Sequence, residues 1–460
     1  MTSKTNTAPL SVFEKVGYGV GDMASNFYMG FFNIFLLYYY VDVWGISPAG
    51  AATMFLVTKV IDAVSDPAMG IIADRTQTRW GKYRPYILWM AIPYALLGYL
   101  LFLGPDLSET GKLIFAYVSY SLIMLAYTAI NVPYSALLAV ISPLSEERTS
   151  ATQYRFIFAT LGTLSVGATA KPLVDYLGGG DELLGFRLTI LLFAVLSLVL
   201  FFYTFASTRE RIQPPKHESS IAEDLNVLKN NRSWIILAIC SILIVVGLVA
   251  RISSTAFYSK YNMMYGDEKV LWWMDHTSLI ITCGFVGQGI GALITPFLLR
   301  FFDKRRMMIV MNLLWALSVV ATYFIPVESY TLTLIVYSLG IFAFGVIITL
   351  LFSMYTDCSE YGEWLSGHNS AGLTVSASMF ALKFGSAVGS AIPGYILSMY
   401  GFVKDADQTE TALSGINISW NIVPALFFLA AAILMIWYKL DGETMDRVER
   451  ELLERRGEVA

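Results

Sequence analysis

The chain has 460 residues, 56% of them hydrophobic and only 14% charged, with a mean hydropathy of +0.59. A soluble globular domain carries about 25% charged residues, so this balance excludes one and points to a polytopic membrane protein. The net charge of −4 says little by itself; where the charges fall says more, and no nucleic-acid partner is expected.

A membrane helix needs about 20 apolar residues, and about a dozen stretches qualify. They lie near 17–41, 48–73, 85–104, 111–141, 150–177 and 184–207, then near 233–260, 271–299, 307–326, 330–355, 370–400 and 416–438. The polar N-terminus runs into a span too long for a signal-peptide core, so no cleaved targeting segment is expected. In the first span Asp22 and Asn26 share a face at i, i+4, and Gly17, Gly19 and Gly21 permit close helix approach. Asp22 lies early enough to be a cap or an interface residue; Asn26 lies deeper.

The second span, FLVTKVIDAVSDPAMGIIADR (55–75), organises the rest. Lys59, Asp62 and Asp66 stand at i, i+3, i+7 and so project from one helical stripe. A charge at bilayer centre costs roughly 2.5–3.5 kcal/mol on insertion scales, so three must face water or protein. Lys59 can neutralise one carboxylate; the surplus one is suited to hold a cation or a proton. In the fourth span Tyr117, Tyr120, Ser121, Tyr127, Thr128, Asn131, Tyr134 and Ser135 form a polar-aromatic stripe. Such a wall offers rings for sugar C–H faces and amides or hydroxyls for sugar OH groups, although helix–helix hydrogen bonding would use the same residue types.

The fifth span carries Arg155, a candidate for substrate or inner gate, and the i, i+4 pair Lys171 and Asp175. GGGDELLG (178–185) reads as a turn. The linker (208–232) and the tail (439–460) read as solvated amphipathic helices. Arg251 lies mid-span in the seventh segment with no local acid, leaving Asp22 or Asp275 as partners from other helices. TDCSEYGEW (356–364), with Glu360 and Glu363, marks the cytoplasmic end of the tenth span as a gate or salt-bridge cluster. The eleventh span has one charge, Lys383, for which Asp62 and Asp66 are the obvious counter-ions, and a small-residue face at Gly385 and Gly389.

Basic residues crowd the loop after the second span (Arg75, Arg79, Lys82, Arg84), the linker, the loop after the eighth span (Lys304, Arg305, Arg306) and the tail, while the alternate loops are short or acidic. The positive-inside rule then puts both termini in the cytoplasm, which requires an even number of spans. The expected fold is an all-α membrane protein of twelve transmembrane helices in two six-helix bundles, 1–207 and 233–438. Cys240, Cys283 and Cys358 lack disulfide or metal spacing, and no phosphate-binding loop or nucleophile–base set stands out. Neither an enzyme nor a resident cofactor is expected.

Gly70, Asp74 and Arg75 match the G-x-x-x-D-R loop signature of the major facilitator superfamily, with a weaker echo at Asp303–Arg306. YGVGD near the start, DAVSDPAMG (62–70), RWGKYRP (79–85), YTAINVPY (127–134), EYGEW (360–364) and LKFGSA (382–387) together resemble the glycoside–pentoside–hexuronide:cation symporter family. The resemblance implies a major facilitator fold and a cation site at Asp62, Ser65, Asp66 and Thr128, with Lys383 adjacent and Lys59 and Lys383 in coupling roles. Those oxygens suit Na+, with a shared H+ as the alternative. It further implies substrate contacts at Asp22, Asn26, Tyr127, Asn131, Tyr134, Arg155 and Lys383, and gates at Asp74, Arg75, Glu360 and Glu363.

Melibiose-permease-like members have acids where this chain has Asn26 and Asn131, and tryptophan where it has Ser135. The departures favour a pentoside or hexuronide over a galactoside. The expected activity is cation-coupled sugar import in a bacterial inner membrane, by a chain that works as a monomer in the lipid bilayer. A same-fold lipid or drug transporter and a sugar-sensing receptor are the alternatives.

Overall fold

The computed structural model describes residues 9–211, 228–263, 269–271, 273–367, 371–404 and 406–456. They fall into two compact units. The first comprises Met1–Lys216 with Tyr265–Leu279 and Leu397–Gln408; the second comprises His217–Met264, Ile280–Ile396 and Thr409–Ala460. Most of the expected linker lies outside the described residues.

Six long helices build the first unit: α1 (Val12–Phe31, prolonged by π turns over Phe32–Leu36 and Tyr39–Val43), α2 (Pro48–Arg75), α3 (Arg84–Leu101), α4 (Glu109–Ile141), α5 (Ser145–Gly178) and α6 (Glu182–Ser207). Later come α7 (Arg232–Phe257), α8 (His276–Leu298), α9 (Lys304–Phe324), α10 (Tyr330–Ser366), α11 (Ala371–Met399), α12 (Glu410–Trp437) and the tail helix α13 (Gly442–Arg456). Among the described residues nine helices, α4 to α12, are long and apolar enough to cross a membrane. With α1, α2 and α3 they make the twelve that the sequence predicts. The apolar runs of α2, Pro48–Thr58 and Val64–Ala73, are split by the segment that holds Lys59 and Asp62.

Small residues set the closest helix contacts. A Cβ on Gly19 would lie 2.9 Å from the Tyr154 carbonyl oxygen, and one on Gly162 would lie 2.9 Å from that of Met23, so α1 and α5 touch backbone to backbone. The second unit repeats the device. Cβ atoms on Gly385 and Gly389 would meet the Ile242 and Val246 carbonyls at 2.9 and 2.8 Å, pressing α11 onto α7.

Two boundaries and the setting of the tail differ from the sequence reading. The eighth helix starts only at His276, because Lys269–Leu271 pairs antiparallel with Met274–Asp275 and the Asp275 carboxylate accepts the Ser278 N–H at 3.0 Å. The tenth helix runs on to Ser366 and stops at Gly367, whose φ of 71° suits a left-handed C-cap. The tail is docked rather than solvated: Val448 and Leu452 are buried, and the Trp364 indole donates to Glu451 at 2.7 Å. The GGGDELLG stretch is the turn it reads as, with Gly179 and Gly180 at positive φ and Asp181 capping α6.

Candidate functional site

Two polar clusters lie inside the first unit. The first joins α2 and α4, which are held together by the Phe55–Tyr120 edge contact at 5.5 Å and by the Tyr117 hydroxyl on the Gly50 carbonyl. That packing brings Thr128 against α2, where its hydroxyl donates to Asp66 Oδ1 at 2.8 Å. Asp62, one turn earlier, is 4% exposed and Thr128 is 3% exposed. The Ser65 hydroxyl reaches back to the Asp62 carbonyl at 3.4 Å. Two carboxylates and a hydroxyl, 62 positions apart in sequence, thus share one neighbourhood of hard oxygen donors.

The second cluster joins α1, α4 and α5. Arg155 Nε donates to Asp22 Oδ2 at 3.1 Å, and its guanidinium lies over the Tyr134 ring at 5.0 Å. Tyr134 stacks on Tyr18, and its hydroxyl donates to the Tyr18 carbonyl. Beside them the Asn26 amide donates to the Asp22 carbonyl and its Oδ1 accepts from Thr163, while the Asn131 amide donates to the Tyr127 hydroxyl at 2.9 Å. Asp22 is therefore an ion-pair partner, not a helix cap. Tyr134, expected on the substrate wall, is only 2% exposed and instead supports Arg155 from beneath. Its hydroxyl is consumed by a neighbouring backbone, as buried tyrosines require.

A membrane chain with carboxylates and a guanidinium gathered inside one helical unit has the parts of a solute transporter. The family model described as MFS/sugar transport protein matches residues 17–442. The chain belongs to that family. It is a transporter, not an enzyme. It is 35% identical to a protein named an uncharacterized symporter, YnaJ, of Bacillus subtilis, over 98% of this chain and 96% of that one. It is 34% identical to the isoprimeverose transporter of Lactiplantibacillus pentosus, over 95% and 90%. Among solved structures it is similar to the nucleoside transporter NupG at 15% identity, with a TM-score of 0.62, over 93% of this chain and all of that one.

The other expected residues of this transporter stand on α2, α10 and α11. The side chains of Lys59 and Asp74 lie outside the described residues. Arg75 is exposed at the end of α2, and Glu360 and Glu363 are half-buried on α10. Nearby, Asp357 pairs with Lys304 at 2.7 Å. Lys383 is half-buried on α11, in the second unit. Lys171 pairs with Asp175 at 2.6 Å and also with Glu182 at 3.1 Å, tying α5 to α6.

Among the described residues Arg251 has no carboxylate in an ion pair with it. It is 1% exposed, with its guanidinium 4.5 Å from the Trp420 ring and 5.0 Å from the Tyr337 ring, and it donates to Thr322 at 3.0 Å. Aromatic faces replace the carboxylate, an arrangement that no spacing along α7 could indicate. Sequence reasoning also missed Glu210. Its carboxylate accepts the backbone N–H groups of Lys82, Tyr83 and Arg84 at 2.7–3.0 Å, and Gly81, at φ 111°, leaves the space it fills. The motif RWGKYRP is thus built partly as a cradle for a distant acid.

Proposed function

We propose that this transporter imports a glycoside, pentoside or hexuronide by cation symport and alternating access, with Na+ as the coupling ion. The single observation that carries the reading is the Thr128–Asp66 hydrogen bond beside the buried Asp62. A hydroxyl and two carboxylates in one neighbourhood support a monovalent cation exchanging water for oxygen ligands there. Two carboxylates one helical turn apart in a low dielectric attract a positive charge. Asn26, Tyr127, Asn131 and Arg155 are the proposed substrate residues, with Asp22 and Tyr134 holding Arg155. Lys59 and Lys383 are proposed for coupling, and Arg75, Glu360 and Glu363 for gating. A relative named an isoprimeverose transporter supports a sugar cargo. The clustering of Lys and Arg in alternate loops supports cytoplasmic termini, and the Bacillus subtilis relative supports a bacterial membrane.

Radiolabelled uptake of a glycoside panel in vesicles, with imposed Na+ or pH gradients, tests the reading. Asp66→Ala is expected to abolish cation-dependent accumulation while the protein stays in the membrane. Wild-type accumulation by that variant refutes the site, and a pH gradient replacing Na+ reassigns the ion. Absence of counterflow points to a receptor.

A further inference from the structure

We infer that the sugar carried is neutral, a pentoside or uncharged glycoside and not a hexuronide; this rests on the sugar-symport reading above. An isolated Arg155 would suit a uronate, because a guanidinium pairs with a carboxylate through charge-assisted hydrogen bonds. Here that charge is already committed. Asp22 Oδ2 lies 3.1 Å from Arg155 Nε, with 22% of the arginine side chain and 13% of the aspartate side chain exposed. Tyr134 occupies one face of the guanidinium.

A second carboxylate drawn to Arg155 would sit beside the first, in surroundings where like charges repel more strongly than in water. The two carboxylates of the α2–α4 cluster in the same unit, Asp62 and Asp66, are also negative. The neighbouring polar groups are amides: Asn26 and Asn131. Asn131 Oδ1 is buried and has no hydrogen-bond partner among the described residues. A spare acceptor calls for a donor. A sugar hydroxyl supplies one, whereas a uronate that set its carboxylate there would offer only more acceptors. The Asp22–Arg155 pair thus acts as a charge filter, presenting polarity without net charge.

The test is counterflow in proteoliposomes with a panel of methyl pentosides and glucosides set against methyl glucuronide, for the wild type and for Asp22→Asn. For the wild type, the neutral sugars are expected to exchange, and glucuronide to compete more weakly than the best of them by about tenfold or more. Asp22→Asn, which uncovers Arg155, is expected to strengthen glucuronide competition by about tenfold relative to the neutral sugar. Preferential exchange of glucuronide by the wild type overturns the inference, as does an unchanged preference in Asp22→Asn. If that variant does not fold, the wild-type preference decides alone. Exchange of no sugar at all sinks the symport reading itself, a result distinct from exchange of the wrong sugar.

Discussion

Thr128 is the residue through which α4 reaches the acids of α2. Its hydroxyl has one proton to give and gives it to Asp66, leaving lone pairs on both oxygens for a cation. Arg251 shows the opposite treatment of a buried charge. Its positive charge is stabilised by ring quadrupoles, and the rings are fixed in turn. Trp420 stacks on Tyr258 with centroids 4.0 Å apart, its indole donates to Thr255 at 3.0 Å, and Thr322 also bonds Asn421. Trp420 is fully buried, so Trp420→Ala is expected to cost about 3–5 kcal/mol. Arg251→Met keeps most of the volume, removes a buried cation and should cost less, because desolvating a charge offsets much of what its contacts return. Thermal unfolding of the two variants in detergent checks the order; an Arg251→Met that is the less stable would show that charge, not ring packing, holds this region.

At the scale of elements, the starts of α1 and α5 are joined by charge. Lys15 meets Glu147 at 2.9 Å, Arg211 meets Glu14 at 2.5 Å, and Ser11 and Glu14 form a capping box. Burial pushes the Glu14 carboxyl up, but bonds from Ser11 and Arg211 outweigh it and hold it below its ordinary value of 4.5. The Lys15 bond likewise lowers Glu147. A carboxyl lowered on folding contributes stability that is fully present above its unfolded pKa and is lost as pH falls through the folded one. Wild type and Glu147→Gln should therefore differ in melting temperature at neutral pH and converge below the ordinary carboxylate range. A difference that persists undiminished in acid would remove the ion pair as its cause.

For the whole molecule, cargo charge and coupling charge combine. One cation with a neutral sugar carries one net charge, so a membrane potential of ~100 mV supplies about 2.3 kcal/mol. That is roughly fiftyfold accumulation at about 1.4 kcal/mol per decade. One cation with a uronate anion carries none. Imposing a potassium diffusion potential with valinomycin should therefore raise steady-state accumulation in proteoliposomes. Accumulation indifferent to the potential would contradict one-cation symport of an uncharged sugar.

What the sequence determined by itself was set by solvent and by periodicity. Apolar runs of membrane length dictate helices, alternate basic loops suggest their direction, and an i, i+4 spacing puts Asp62 and Asp66 one turn apart on one helix. Glycines at 19, 385 and 389 announced close packing because only a missing Cβ permits it. Tertiary structure alone decided which groups meet across helices. Asp22 and Arg155 are 133 positions apart, Arg251 trades the expected carboxylate for two rings, and Glu210 finds its donors in a loop closed by Gly81. Local spacing fixes which face a side chain occupies; its partner is chosen by how neighbouring helices rotate and slide when they pack, and that depends on many side chains at once.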